Sequence, residues 1–311
     1  MIQTRRNFLT TTALTLTAAA TRLKAADLSK FKLGVINDEI SPDLEHDLQW
    51  VQHYGLSWIE LRGVWGKNVT EMEPDNVKRA QDLLAKYNIK VSVIDTPYYK
   101  IVLPGTEAYR REGSKDSATM DDQKPLLERA MARAKDFGTD KVRIFAFWRV
   151  KDPKAIFDRI ARLLDDTAAI AKKENIRLVL ENEYACNVAT GAESVEMLNA
   201  VKSPAFGLNW DSGNAFAAGE LKPFPDGYQG IDKKRIWHMH LKDAVMDDQG
   251  KSHWKPIGDG SIDFVGQFQA LLANGYHETL SLETHYSNAA HNKEESSNES
   301  MKGLLEAIKK A

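Results

Sequence analysis

The chain has 311 residues, of which 42% are hydrophobic and 28% are charged. This is enough for one large packed domain, and the length would accommodate two smaller domains equally well. The 42 basic and 44 acidic residues give a net charge of −2. The composition therefore offers no general basic field for a nucleic-acid backbone and argues against DNA or RNA as a partner.

The first 25 residues have the composition of a targeting segment. Arg5 and Arg6, followed by Asn-Phe-Leu, resemble a twin-arginine export signal, and an uncharged run over 10–20 leads to small residues near Ala25. That run is too short and too rich in Thr and Ala to cross a bilayer stably, and no later stretch is apolar enough to do so. We therefore expect residues 1–25 to be a signal peptide and the mature protein to be periplasmic or otherwise extracytoplasmic, without an integral membrane segment.

After this segment, eight short β-rich runs alternate with longer helical patterns, as in repeated βα units. The predicted strands are Lys32–Ile36, Trp58–Leu61, Lys90–Ile94, Lys141–Phe147, Arg177–Leu180, Ala205–Asn209, Arg235–Leu241 and Thr279–Leu282. The predicted helices are Asp43–Tyr54, Pro74–Tyr87, Gln123–Phe137, Asp152–Asn175, Ala192–Val201, Asp263–Ala273 and Glu294–Lys310. Only the sixth unit lacks a clear helix, because residues 216–231 are rich in Pro and Gly.

Eight such units without a linker or a break in composition predict a single α/β domain, a closed (β/α)8 TIM barrel over residues 31–311. The alternative is a doubly wound open sheet. No Gly-x-Gly-x-x-Gly turn follows the first strand, where Asn37-Asp38-Glu39 stands instead, so a dinucleotide-binding fold is disfavoured. The long connections 96–122 and 244–262 are expected to act as lids or binding loops.

Metal-ligand side chains end four consecutive strands in the second half of the predicted barrel. They are Glu181, Asp211, His240 and Glu283. Because the carboxyl ends of barrel strands meet at one mouth, we expect these side chains to lie together. Buried charges are costly without a counter-ion, so one bound divalent cation explains the set better than a salt-bridge network does. Three carboxylates and one imidazole suit Mn²⁺ best, with Mg²⁺ or Co²⁺ also compatible.

The order of motifs along the chain resembles the xylose isomerase-like sugar phosphate isomerase/epimerase family over about residues 31–311. The motifs are Leu-Glu-Asn at 180–182, Trp-Asp-Ser-Gly-Asn at 210–214, His-Met-His-Leu-Lys-Asp at 238–243, Ile-Gly-Asp-Gly-Ser-Ile-Asp-Phe at 257–264 and Ser-Leu-Glu at 281–283. The resemblance implies that the four ligand-type residues hold the metal and that Glu181 and Glu283 are the catalytic acid/base pair. It implies a metal-dependent isomerase or epimerase that abstracts a proton next to a carbonyl through an enediolate.

Further residues are candidates for contact with a sugar substrate. They are Asn214, His238, Lys242, Glu60, Arg62, His285, Lys255 and Trp254. Glu60 and Arg62 leave the second strand on one face and either bind substrate or pair with each other. Asn214 stands where many family members carry a His, and Lys242 and Lys255 are candidates near the place of a frequent Arg. Both departures argue against the usual keto-hexose epimerase substrate.

Several functions are compatible with the same residues. Export from the cytoplasm favours an unphosphorylated sugar, since it separates the protein from the sugar-phosphate pool. A lyase or dehydratase acting on a 3-keto-glycoside or keto-inositol would use the same metal site. An abasic-site endonuclease shares the barrel but is disfavoured by Asn214 and by the net charge, and a non-enzymatic sugar-binding barrel is a further alternative. The sequence leaves the oligomeric state open.

Overall fold

Twelve strands make up the β structure of this computed structural model, which describes residues 30–109 and 118–311. In chain order they are β1 (Lys32–Val35), β2 (Trp58–Leu61), β3 (Gly63–Val64), β4 (Lys67–Asn68), β5 (Lys90–Asp95), β6 (Lys141–Ile144), β7 (Arg177–Glu181), β8 (Phe206–Asp211), β9 (Ile236–Leu241), β10 (Asp243–Met246), β11 (Ser252–Lys255) and β12 (Thr279–Leu282). The predicted signal peptide, residues 1–25, lies outside the described residues.

Eight of these strands form one parallel sheet that curls into a nearly closed barrel. The hydrogen-bonded order is β1-β12-β9-β8-β7-β6-β5-β2. A parallel bridge between Ile36 and Glu60 joins the two ends of the sheet just beyond β1. The predicted single-domain (β/α)8 barrel is therefore confirmed, and each of the eight predicted strands corresponds to one barrel strand.

The helices of the described residues surround this barrel. They are α1 (Leu44–His53), α2 (Pro74–Tyr87), α3 (Gln123–Asp136), α4 (Phe157–Lys173), α5 (Gly191–Ala200), α6 (Ser212–Ala217), α7 (Phe264–Ala273) and α8 (Lys293–Lys310). The sequence missed α6, a short helix that is capped by Asp211, whose carboxylate accepts the Asn214 backbone N–H. Nowhere in residues 30–109 and 118–311 does a helix combine the length and apolar content required to cross a bilayer.

Apolar contact between the strands and the helices holds the barrel wall. All six residues of β8 are buried, as expected of a parallel strand that is covered on both faces. In α4 the buried residues Ile160, Leu164, Ala168 and Ala171 recur at helical spacing and form its inward face. Each fully buried Ile or Leu contributes about 1.5–3 kcal/mol relative to an exposed one.

The strand register brings the predicted ligand side chains to the same edge. Asp211 in β8 pairs with His240 in β9, and His240 pairs with Ser281 in β12. On the other side of β8, Asn209 pairs with Glu181, the last residue of β7. The parallel direction of these strands therefore places Glu181, Asp211 and His240 at the C-terminal mouth, with Glu283 just beyond β12.

The long connection after β9 folds into an antiparallel hairpin, β10 and β11, followed by a turn. The buried Asp243 carboxylate fixes this turn. It accepts the backbone N–H groups of Gly258 at 3.0 Å, Gly260 at 3.2 Å and Ile262 at 3.2 Å. Alternation along β11 leaves Trp254 partly buried and Lys255 exposed on the opposite face.

We expect Asp243→Ala to lower the free energy of unfolding by about 3 kcal/mol, because several buried N–H groups lose one charged acceptor. Urea denaturation would measure this loss. The matched control is Asp263→Ala in the same connection, which removes only the cap of α7 and should cost about 1 kcal/mol. Equal losses in the two variants would show that Asp243 does not fix the turn.

Candidate metal centre

Four buried side chains converge at the C-terminal mouth of the barrel. His240 Nδ1 lies 3.2 Å from Glu283 Oε2, 3.6 Å from Glu181 Oε1 and 3.9 Å from Asp211 Oδ2. One ligand atom from each residue lies within 4.8 Å of all the others. The structure thus brings together the four residues that the sequence proposed as metal ligands.

The arrangement fits a single divalent cation. Metal–ligand bonds of about 2.0–2.2 Å place neighbouring ligand atoms about 3–4 Å apart in a tetrahedral or octahedral shell, and the three distances from His240 Nδ1 have this size. The Nδ1 atom is buried and has no hydrogen-bond partner, which is costly unless something binds it. Three carboxylate oxygens and one imidazole nitrogen are a donor set for Mn²⁺, Mg²⁺, Co²⁺ or Zn²⁺.

Glu60 determines which nitrogen of His240 faces this centre. Its carboxylate contacts His240 Nε2 at 3.1 Å and His238 Nε2 at 2.8 Å. Burial opposes ionisation, but the two imidazoles hold the pKa of Glu60 well below its usual range. An ionised carboxylate only accepts hydrogen bonds, so both Nε2 atoms must carry hydrogen. Once a bound cation displaces the proton on Nδ1, the His240 ring presents the Nδ1 lone pair to the centre, as in carboxylate–histidine–metal arrangements.

A polar line continues from Glu60 into the interior of the barrel. His238 Nδ1 lies 2.7 Å from the Thr279 hydroxyl oxygen, which in turn is 3.5 Å from Lys141 Nζ. Burial lowers the pKa of His238 despite the pull of Glu60, so the neutral ring accepts the hydroxyl hydrogen. Lys141 also donates to Glu278 at 2.8 Å. His238, predicted as a substrate contact, thus has both ring nitrogens engaged below the mouth.

Three cations compensate the carboxylates of the centre. Arg143 Nη1 donates to Glu181 Oε2 at 2.6 Å, and Arg62 Nη1 donates to Glu283 Oε1 at 3.0 Å. Lys242 Nζ, only 2% exposed, lies 2.5 Å from Glu283 Oε2 and 2.8 Å from Asp211 Oδ2. Each cation thus fixes the direction of at least one carboxylate of the candidate metal centre.

The cations and burial set different protonation states for the three carboxylates. Burial alone would raise the pKa of Glu181, but Arg143 and His240 hold it well below its usual range. Burial acts in the same direction on Glu283, and Lys242 with His285 outweighs it, so the pKa of Glu283 is also lowered. For Asp211, the effect of burial outweighs the opposing charge of Lys242 and raises the pKa to about 6.

The remaining candidate residues lie at different distances from the centre. Asn214 Nδ2 donates to Glu181 Oε1 at 2.8 Å, and its own Oδ1 is buried without a partner. His285 Nε2 lies 3.2 Å from Glu283 Oε1, and its ring meets Trp254 edge-on at 5.1 Å. The Trp254 ring stands 5.6 Å from Lys242 Nζ. Lys255 is not brought to the centre, because it lies on the exposed face of β11.

Sequence analysis missed Arg143 and Asp95, which belong to the same network. Arg143 Nε lies 3.2 Å from Asp95 Oδ1, and both side chains are buried. Burial raises the pKa of Asp95 against the effect of Arg143. An arginine between Val142 and Ile144 in an apolar strand is a signal that could have identified this residue, because such a charge needs an internal partner.

We expect Glu60→Gln to weaken divalent-metal binding about 10–100-fold, as other losses of such outer partners do. A glutamine offers one acceptor and one donor, so only one of the two Nε2–H groups keeps an acceptor and the Nδ1 lone pair of His240 is no longer enforced. Titration of the metal-stripped protein with Mn²⁺ would measure the change. Glu183→Gln is the control, because Glu183 is buried nearby but pairs with Lys100. Unchanged affinity in Glu60→Gln would contradict the tautomer assignment.

We also expect metal affinity to fall as the pH decreases through about 6. The folded-state pKa of Asp211 is raised to about 6, so its proton persists in the folded protein up to that pH and competes with the cation. Burial disfavours a charged His240, yet Glu60 and Glu181 raise its pKa, which adds a second competing proton. Mn²⁺ titrations between pH 5 and 8 would show this; affinity that does not vary over this range would contradict it.

Comparisons with known proteins agree with this fold. A family model described as the xylose isomerase-like TIM barrel matches residues 48–308. An uncharacterized protein of Methanocaldococcus jannaschii is 31% identical over 132 residues, which make up 41% of this chain and 43% of that relative. The matched region therefore spans less than half the length of that relative.

Solved structures share the architecture at low sequence identity. An IolI protein with a bound zinc atom is 19% identical, with a TM-score of 0.66 over 90% of this chain and 99% of that chain. The probable 3-DHS dehydratase AsbF of Bacillus anthracis is 18% identical, with a TM-score of 0.64 over 86% and 98%. A D-tagatose 3-epimerase-like protein is 20% identical, with a TM-score of 0.62 over 90% and 99%. Because the family model covers most of the sequence, this chain belongs to the xylose isomerase-like TIM barrel family.

Proposed function

We propose that this protein is a divalent-metal-dependent enzyme that isomerises or epimerises a sugar, with Glu181 and Glu283 as its acid/base pair. The observation that carries the proposal is the convergence of four buried ligand side chains on one point, with His240 Nδ1 facing three carboxylate oxygens. The C-terminal mouth, where these residues lie, is where barrels of this type carry out catalysis.

The chemistry follows from the charges at this point. Held by Glu181, Asp211, His240 and Glu283, a divalent cation would supply Lewis acidity that makes a carbon-bound proton next to a carbonyl more acidic. Glu181 and Glu283 are ionised at neutral pH, since the pKa of each is lowered, and each can therefore accept a proton. They come from non-adjacent strands, β7 and β12, which supports removal of the proton by one carboxylate and its return by the other.

The two carboxylates have different surroundings on the side away from His240. The second oxygen of Glu181 is closed off by Arg143, which stays protonated and cannot exchange a proton at working pH. The second oxygen of Glu283 accepts from Arg62 at 3.0 Å but also lies 3.2 Å from the imidazole of His285, which is 28% exposed in its side chain. We therefore assign Glu283 as the carboxylate that equilibrates with solvent and Glu181 as the one that retains its proton through turnover.

We place the substrate among unphosphorylated sugars. The expected export signal would separate the enzyme from phosphorylated sugars. Aromatic rings also cluster beside Glu283, where the Trp254 ring centroid lies 6.2 Å from that of Tyr184 and 5.1 Å from that of His285. Aromatic faces of this kind, with a few polar groups beside them, are typical of small-molecule sites and suit the apolar face of a sugar ring.

The position of Lys242 favours a second candidate reaction, a lyase or dehydratase acting on an oxidised sugar. Its buried ammonium group contacts both Asp211 and Glu283 and can donate a proton to a departing oxygen. Proton removal next to the carbonyl is common to both reactions. The product distinguishes them, because an isomer keeps the mass of its substrate, whereas elimination loses water or an aglycone.

The decisive experiment measures the metal content of the purified protein and its turnover of free sugars and 3-keto-glycosides, with and without Mn²⁺. Turnover that is lost on chelation and restored by Mn²⁺ would support the proposal, and mass analysis of the product would name the reaction. A metal-free protein without Mn²⁺-dependent turnover would overturn it in favour of a sugar-binding barrel.

We expect Glu181→Gln and Glu283→Gln each to lower turnover by about 10²–10⁴-fold, the usual contribution of a positioned acid or base. Each variant keeps the shape of the side chain but loses a proton acceptor and a charged ligand. Steady-state kinetics at saturating Mn²⁺ would measure the loss. Glu183→Gln is the matched control, two residues from Glu181 and equally buried. Comparable losses in all three variants would show that the effect is structural.

A further inference from the structure

Arg62 lies at a second convergence of ligand-type side chains beside the metal centre. Its guanidinium donates to Asp38 Oδ1 at 2.8 Å, to Glu283 Oε1 at 3.0 Å and to Glu39 Oε1. Glu283 and Glu39 are buried, whereas the Arg62 side chain is 23% exposed. Three carboxylates therefore share one monovalent cation.

Three residues of this region also have the geometry of a metal site. Glu39, Glu283 and His285 each offer a ligand atom, and these atoms lie within 4.8 Å of one another. Glu283 belongs to both groups: its Oε2 faces His240, and its Oε1 faces Arg62 and His285. A carboxylate with its two oxygens directed to two cation positions is the bridging ligand of a two-cation centre.

We propose that the Arg62 guanidinium is the built-in second cation of this centre, which keeps it to a single exchangeable metal ion. The inference rests on the proposed metal site. A guanidinium is permanently charged and is fixed to the chain, so this position needs no ion from solution. A second divalent ion cannot bind while two arms of the guanidinium occupy the oxygens of Glu283 and Glu39.

The guanidinium also places this fixed charge within reach of a ligand. Arg62 lines a cavity of about 540 Å³ together with Asp38, Asn68, Lys67 and Lys293. This volume is in the range of small-molecule pockets. Arg62 uses three of its five N–H groups in the contacts with the three carboxylates. The remaining two N–H groups are available to an oxygen atom of a polyhydroxy ligand. Arg62 is therefore positioned to orient a substrate where a second metal ion would otherwise do so.

The test counts bound Mn²⁺ in the purified full chain after removal of weakly held metal. We expect one ion per chain in the wild type and two in Arg62→Gln and Arg62→Ala, with the second ion bound close enough to give the exchange-coupled Mn²⁺ spectrum of a pair. Arg62→Lys keeps a cation at this position and should remain at one ion. The double variant R62Q/E39Q removes a ligand of the second position and should also return to one ion.

The outcomes separate this inference from the proposed function. One ion in folded R62Q and R62A would overturn the role of Arg62 while leaving the metal centre intact. No ion in the wild type would instead overturn the metal centre. If neither variant folds, addition of Mn²⁺ decides: recovery of the folded state supports an ion in the place of the guanidinium, and failure to recover contradicts it.

Discussion

The C-terminal mouth of the barrel depends on one constraint: its buried carboxylates must be balanced by nearby positive charge. Glu181, Asp211 and Glu283 are all buried, and a buried carboxylate without a partner is far too costly to persist. The barrel meets this constraint with buried cations. Arg143 contacts the Glu181 oxygen that points away from His240, whereas Lys242 contacts the same oxygens of Asp211 and Glu283 that face His240. Arg143 is shared with Asp95, and Arg62 is shared with Asp38 and Glu39. The positive charge on these residues therefore does not fully balance the carboxylates, and a divalent ion would supply the missing charge.

The compensating cations also hold the three carboxylates in separate, fixed positions before any metal ion binds. Arg143 comes from the interior of β6, Lys242 follows β9, and Arg62 follows β2, so the charges surround the centre from separate strands. Such fixed partners would reduce the reorganisation of the carboxylates when a metal ion or a substrate binds. They would also let the two glutamates differ in proton exchange, because the outer oxygen of Glu181 contacts an arginine, whereas that of Glu283 contacts both Arg62 and the imidazole of His285.

The sequence could predict the part of this structure that depends on periodicity and on strand ends. Eight βα units define the barrel, and the barrel brings Glu181, Asp211 and His240 to one edge. Contacts between residues on distant strands could not be predicted from the sequence in this way. Glu60 and His240 are 180 residues apart, and no local pattern shows that one orients the other. Lys255 followed Trp254 in sequence, but the alternation of a hairpin strand separates their side chains. The helix after β8 was missed because it is short and depends on a cap supplied by Asp211.

The polar line below His240 connects the C-terminal mouth of the barrel with its opposite end. It runs through Glu60, His238 and Thr279 to Lys141, which is paired with Glu278 near the N-terminal ends of the strands. Each step has one favourable direction of hydrogen bonding, so reversing one donor disturbs all the others. The two ends of the barrel, usually assigned separately to stability and to chemistry, are here joined by one line of hydrogen bonds. Substitutions at the base of this barrel would accordingly be constrained by an imidazole at its mouth.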